Sequence, residues 1–169
     1  MKHELVILLG TNQGNRVQYL QKAIDLLKGQ FGDFVSQSSI YETDAWGGVA
    51  QQSFLNQIVI FEVEGCPATM LKICLSIEHK LGRERFEKWG DRCIDIDILF
   101  YGKSIIKTPD FSLPHPRMQD RKFTLVPLAE LRPNLLHPTF NKSILCLLEE
   151  CPDALEVRMI SDLKEEKNA

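Results

Sequence analysis

Two aspartates one residue apart, Asp95 and Asp97, interrupt the apolar run RCIDIDILFYG. Ile94, Ile96, Ile98 and Phe100 alternate with Asp95, Asp97, Leu99 and Tyr101, the period of a β-strand, and Gly102 ends the run. One face of this strand is apolar. On the other, the Cα atoms of the two acids stand roughly 6.5–7 Å apart at ordinary strand rise. Aspartate is depleted in strands, and adjacent carboxylates repel one another unless cations neutralise them. Hard oxygen ligands suit Mg²⁺, which keeps part of its water shell and also binds nucleotide phosphates. A solvent-facing strand face that happens to carry two acids is the competing reading, and this segment alone supports both equally.

The flanking residues favour the cation site. Upstream, LGRERFEKWGDR brings Arg83, Arg85, Lys88 and Arg92 around Trp89. Downstream, SLPHPRMQDRKFTLVPLAEL carries His115, Arg117, Arg121, Lys122 and Phe123. Guanidinium groups fork onto phosphate oxygens, and acids beside them can hold the metal that phosphoryl transfer requires. Taken singly, each flank has a plainer explanation: Glu84, Glu87 and Asp91 nearly cancel the charge of the first. Their order and closeness around the two acids is what argues for a site.

The elements that must position these residues follow from hydrophobic periodicity. Residues 4–9 form an apolar strand that reaches a turn at Gly10-Thr11-Asn12. Val17, Leu20, Ile24 and Leu27 define one face of a helix from Asn15 to about Lys28, with Asn12, Gly14 or Asn15 as its cap and Gly29 as its end. Strands are expected at 34–43 and 54–64, separated by a loop at 44–53. Pro67 begins a second helix whose stripe is Met70, Leu71, Cys74, Ile77 and Leu81, stopped by Gly82. The order strand, helix, strand, strand, helix, strand predicts an α+β, ferredoxin-like βαββαβ antiparallel sheet with helices on one face. A Pro-rich loop region and a helix at about 142–150 are added C-terminally. Residues 1–160 are read as one domain and 161–169, rich in Lys and Glu, as a frayed tail.

Composition excludes several classes. The chain has 169 residues, 44% hydrophobic and 25% charged, enough for one domain with a real core. A formal net charge of −3 leaves no electrostatic footprint for nucleic acid, so the basic residues must act locally on a small anion. No apolar stretch approaches a membrane span, and the start MKHELVILLGTN reads as a core strand rather than a signal peptide. Five cysteines without a C-x-x-C pair argue against a disulfide scaffold or structural zinc and for a reducing compartment, the cytoplasm. Gly102-Lys103-Ser104 lacks the glycine that a P-loop needs five residues earlier, and Gly10 to Gly14 lacks the Rossmann spacing.

The segments LGTNQGNR, SSIYETDAWGG, FLNQIV, LGRERFEKWGDRCIDIDILFYG and LPHPRMQDRKFTLVPLAEL span about residues 8–131. In this order and spacing the chain resembles the 6-hydroxymethyl-7,8-dihydropterin pyrophosphokinases of folate biosynthesis. The resemblance implies the ferredoxin-like fold. It also implies Mg²⁺-dependent transfer of pyrophosphate from ATP to the pterin's hydroxymethyl group, with release of AMP. It implies two Mg²⁺ ions on Asp95 and Asp97, with Arg83 and Arg92 as further catalytic residues. ATP would meet Glu78, Arg83, Trp89, Arg92, Ile98, Ser112, His115 and Arg121. The pterin would lie between Phe54 and Phe123, its edge paired by Asn56, with Thr43, Ala45, Trp46 and Trp89 completing the pocket. No dedicated base stands out, so positioning and metal electrostatics are expected to dominate the rate. Asp91, Lys88 and Asp44-Ala45 depart from the usual family pattern; Lys88 keeps a charge but loses bidentate geometry. ATP and the pterin are the expected partners, with no nucleic acid and no membrane, and a monomer is expected with a dimer left open. Two other classes bear weighing: a ferredoxin-like RNA-binding module, disfavoured by the acidic strand, and a metal-dependent phosphohydrolase using the same acids.

Overall fold

The computed structural model describes residues 1–44, 52–82 and 93–160. Its centre is β1 (His3–Thr11), whose last seven residues are all buried because the strand has neighbours on both edges and layers on both faces. It pairs antiparallel with β4 (Phe54–Val63) on one side and β5 (Asp95–Tyr101) on the other. Beyond β4 come β3 (Tyr41–Thr43) and β8 (Arg158–Met159), giving the order β5-β1-β4-β3-β8, while β2 (Ser36–Gln37) also pairs with β4. All these pairings are antiparallel, and the fold is mixed α+β. Ile106–Lys107 (β6) and Ser112–Leu113 (β7) form a separate two-stranded ribbon.

Period-two alternation on β1 divides the interior. Leu5, Ile7 and Leu9 join Val59, Phe61 and Ile96 beneath α1 (Arg16–Phe31) and α2 (Pro67–Lys80), which supply Leu20, Ile24, Leu27, Met70, Cys74 and Ile77. Val6 and Leu8 face the other way with Ile58 and Ile60. There they meet Leu125 and Leu128 of α3 (Lys122–Leu131) and Ile144 and Leu147 of α4 (Ile144–Glu150). Helices therefore cover both faces, not one as expected. The reason is α3, which falls in the region expected to be a Pro-rich loop. Pro127 is tolerated within it, although an interior proline removes a helical hydrogen bond.

Other differences are local. The strand expected at 34–43 is split into β2 and β3, while of the three cap candidates Asn12, Gly14 and Asn15 it is Asn15 that caps α1, accepting from Gln18 N–H at 3.1 Å. α1 runs past Gly29 to Gly32, whose φ of 82° suits glycine. Phe100, expected on the isoleucine face of β5, lies in the opposite core with Leu99. The register shifts there: Ile98 pairs with Ile7 but Phe100 with Val6, so one extra residue is accommodated in β5.

α3 is tied to β3 at its C-terminal end. Glu130 accepts from Tyr41 O–H at 2.6 Å and from Ser39 N–H at 3.0 and 3.1 Å. Burial, then Glu130's hydrogen bond and charge, push the Tyr41 phenol well above its ordinary range, so it stays a donor. Among the described residues no helix is long and apolar enough to cross a membrane.

Candidate active site

Strand register assembles the site. Gly10 of β1 lies opposite Asn56 of β4 and Asp95 of β5, and Leu8 opposite Ile58 and Asp97. Directly opposed residues share a face, so Asn56, Gly10 and Asp95 form one row and Ile58, Leu8 and Asp97 the next. Leu8 and Ile58 belong to the core on the α3 and α4 side. The two carboxylates therefore stand together on that face, while Ile94, Ile96 and Ile98 go to the other core, as the alternation predicts. Phe54, two residues from Asn56 on β4, shares its face and pairs with Thr43 of β3.

At this end of the sheet lies a cleft of about 960 Å³. It brings together Thr43, Phe54, Asn56, Glu78, Asp95, Asp97, Ile98, Ser112, His115, Arg121 and Phe123. Every candidate residue in the described segments is among them. Ala45, Trp46, Arg83, Trp89 and Arg92 lie outside the described residues. The tail 161–169, expected to fray, also lies outside them.

Gly10 makes the close approach of Asn56 possible. A Cβ on residue 10 would sit 2.9 Å from Asn56 Nδ2 and 4.0 Å from Asp95 Cβ. Asn56 is 4% exposed; its amide donates to Leu9 C=O at 3.4 Å, and its Oδ1 finds no partner among the described residues. An unsatisfied buried acceptor costs free energy until something donates to it, and the cleft is where a donor can come from. Gly10, expected to belong to a turn, is instead part of β1. The available signal was a glycine ending an apolar strand, which can mark close approach by another group.

Among the described residues the outer edge of β5 has no strand neighbour and is met by side chains and loop. Ile96 N–H donates to Glu78 Oε1 at 2.7 Å, and Leu99 C=O accepts from His115 N–H at 3.0 Å. Glu78, expected as an ATP ligand, thus has one oxygen engaged on the strand edge. Ile98, expected near the nucleoside, places its side chain in the core at 5% exposure. Cys74 behind this edge is buried, and burial together with the charges of Glu78 and Asp97 pushes its thiol up to about 12, so it is inert.

His115 is oriented by its backbone bond to β5 and by Arg117 N–H, which donates to Nδ1 at 3.4 Å. Burial, then the charges of Arg121 and Arg117, push the imidazole down to about 4. At neutral pH it is uncharged, with its proton on Nε2 as a donor. The Arg121 guanidinium lies 5.7 Å from the Phe123 ring centre and feels both Asp97 and Asp95. Burial is the largest influence on it and lowers its pKa, which the two carboxylates partly oppose. A guanidinium remains charged throughout.

Chemically, two carboxylates on one face could hold hard divalent cations. Arg121 and His115 offer donors to an anion at the same place. Phe54 and Phe123, both half-buried, offer flat walls beside an unsatisfied amide.

Residues 6–133 match the family model described as 7,8-dihydro-6-hydroxymethylpterin-pyrophosphokinase (HPPK). The chain is 38% identical over 136 residues to a 2-amino-4-hydroxy-6-hydroxymethyldihydropteridine pyrophosphokinase of Aquifex aeolicus, covering 80% of this chain and 84% of that one. It is 42% identical over 132 residues to the Bacillus subtilis enzyme of the same name, covering 78% and 79%. Among solved structures, Plasmodium falciparum HPPK-DHPS with pteroate superposes with a TM-score of 0.71 at 16% identity. That superposition covers 89% of this chain but 42% of the larger one, a likeness of fold. The chain belongs to the HPPK family of pyrophosphokinases.

Proposed function

We propose that this enzyme transfers pyrophosphate from ATP to 6-hydroxymethyl-7,8-dihydropterin, with Mg²⁺, giving AMP and the pterin diphosphate. The observation that carries the reading is the row Asn56, Gly10, Asp95, with Asp97 in the next row. It sets an amide suited to a pterin edge beside carboxylates suited to phosphate-bound cations, across a residue with no side chain. The strand order β5-β1-β4-β3, with α1 and α2 on one face, supports a ferredoxin-like core to which α3, α4 and β8 are added.

The donor set fits Mg²⁺. Asp95 and Asp97 offer only oxygens, and no group of three or more His, Cys, Asp or Glu forms a closed cage among the described residues. Mg²⁺ is commonly held by one or two carboxylates, with water and phosphate completing the shell. Bound there, it would neutralise charge on the transferring and departing phosphates.

The remaining work belongs to the chain. Asn56 Oδ1 accepts from the pterin edge, Phe54 and Phe123 stack on its faces, and Thr43 borders it. Arg121 and neutral His115 donate to phosphate oxygens. Ile98, whose side chain is in the core, offers the nucleotide only backbone, and Ser112 borders it. Arg83, Arg92, Trp89, Ala45 and Trp46 are assigned to the site on family resemblance. Positioning the hydroxymethyl group in line with the phosphate is the main catalytic contribution of such a site.

The test is one incubation with ATP, Mg²⁺ and hydroxymethyl-dihydropterin, followed by chromatography. AMP and pterin diphosphate in equal amounts are expected. Phosphate release without pterin modification would replace the reading with a phosphohydrolase, and no turnover would refute it.

A further inference from the structure

The family match ends at residue 133, but the cleft wall does not. Pro152, Asp153 and Leu155, in the chain leaving α4, also line the cleft. Asp153 Oδ2 accepts from Lys122 N–H at 3.1 Å, and its Oδ1 accepts from Leu155 N–H at 2.9 Å. Lys122 opens α3, and the first amides of a helix have no intrahelical acceptor. Arg121, at the cap position, makes no side-chain cap bond, so Asp153 supplies an acceptor from 31 residues away, with a charge that complements the helix N-terminus. The residue after Lys122 is Phe123.

Five residues later the same segment grips the opposite wall. Arg158 pairs with Glu42 in the β3–β8 register, and its guanidinium reaches Glu42 Oε1 at 3.4 Å and Asp44 Oδ1 at 3.2 Å. These acids flank Thr43, which is opposite Phe54. Glu42 is anchored further: its Oε2 accepts from Ser53 O–H at 3.0 Å and from Arg16 Nη1 at 3.3 Å. Arg16 also donates to Ser53 C=O at 2.9 Å. Burial works to raise the Glu42 carboxyl, but hydrogen bonds from Ser53, Arg158 and Arg16 outweigh it and hold the group below the usual carboxylate range.

We infer that segment 153–158 is a tie across the pterin recess, in which Asp153 positions Phe123 and Arg158 positions Thr43 and Phe54. A five-residue span reaches at most roughly 16–18 Å when extended, so two fixed ends leave little slack between the walls. Asp153 and Arg158 are positioning residues: they act on the substrate through the residues they hold. The inference rests on the pterin reading of the recess.

The test compares Asp153→Ala, Asp153→Asn and Arg158→Met with the unsubstituted protein. For each, KM for the pterin, KM for ATP, kcat and Tm are measured, together with pterin affinity by calorimetry in the presence of a non-hydrolysable ATP analogue. Asp153→Ala and Arg158→Met, each of which removes two hydrogen bonds of a charged side chain, should each weaken the pterin about tenfold, while KM for ATP stays within about twofold. Asp153→Asn, which retains one acceptor, should weaken it less. Should Asp153→Ala fail to fold, Asp153→Asn and Arg158→Met, which leave the core filled, decide the matter. Folded variants with undiminished pterin affinity would overturn the tie while leaving the pterin reading intact. So would equal weakening of ATP and pterin, or a fall in kcat alone that tracks lost stability, since those mark a merely structural role. An unsubstituted protein that neither binds nor modifies the pterin would overturn both.

Discussion

Gly10→Ala is expected to damage pterin recognition far more than ATP binding, because the added Cβ clashes with Asn56 but meets Asp95 Cβ only at an ordinary contact of 4.0 Å. The added Cβ would lie 2.9 Å from Asn56 Nδ2. A comfortable contact is about 3.5 Å or more, so the amide must retreat by about 0.6 Å. It has little room: Asn56 is 4% exposed and held to Leu9 C=O at 3.4 Å. The open direction is the cleft, and moving there misaligns the amide from the ring edge it should pair. One or two hydrogen bonds at about 0.5–1.5 kcal/mol each make roughly 0.5–3 kcal/mol, or about 2- to 150-fold in affinity. Stability should change less, because about 1–3 kcal/mol of overpacking is partly offset by about 0.5–1 kcal/mol from replacing a strand glycine. Calorimetric titration of pterin and of an ATP analogue into the variant reads the two affinities separately. The substitution should add nothing in an Asn56→Ala background, where the clashing amide is gone. Pterin affinity unchanged in Gly10→Ala, or a full effect persisting in that background, would refute the reasoning.

Asp97→Ala should lower turnover by orders of magnitude while Tm holds or rises, because like-charge repulsion with Asp95 is relieved; loss of activity that tracks unfolding would contradict the metal role. His115, pushed down to about 4 from an ordinary 6.5, binds its proton less readily when folded than when unfolded. Its contribution to stability is therefore complete above about pH 6.5 and lost as pH falls toward 4. Thermal melts across that window should show a steeper decline for the unsubstituted protein than for His115→Gln, and parallel curves would exclude it. Arg92→Ala should slow single-turnover transfer at saturating substrates far more than Arg85→Ala, since Arg92 is three residues from Asp95 in sequence. Equal, small effects would make the arginine segment a solvated surface.

Much of this is legible in the sequence. Period-two alternation in RCIDIDILFYG put the two acids on one strand face, and helical stripes from Val17 to Leu27 and from Met70 to Leu81 gave α1 and α2. These are local signals, carried by spacing within one element. α3 was hidden by Pro127, and the Leu99 irregularity sent Phe100 to the unexpected core. Both depend on neighbours: a helix tolerates a proline when packing on the sheet offsets the lost bond, and a bulge is defined only against a partner strand.

By itself the sequence determined the chemistry available: carboxylates at strand spacing, arginines and a histidine on either side, two phenylalanines and an amide, in an order shared with a known family. Tertiary structure alone decided how these meet. Register across β1 set Asn56 and Asp95 on either side of Gly10, a relation among residues 10, 56 and 95 that no local pattern contains. It also turned Asp153 back onto the first turn of α3 and Arg158 onto Glu42. Hydrogen bonds and close packing act over a few ångströms in space regardless of separation along the chain. Residue types and short periods can therefore be read from sequence, whereas the pairing of distant residues exists only once the chain has folded.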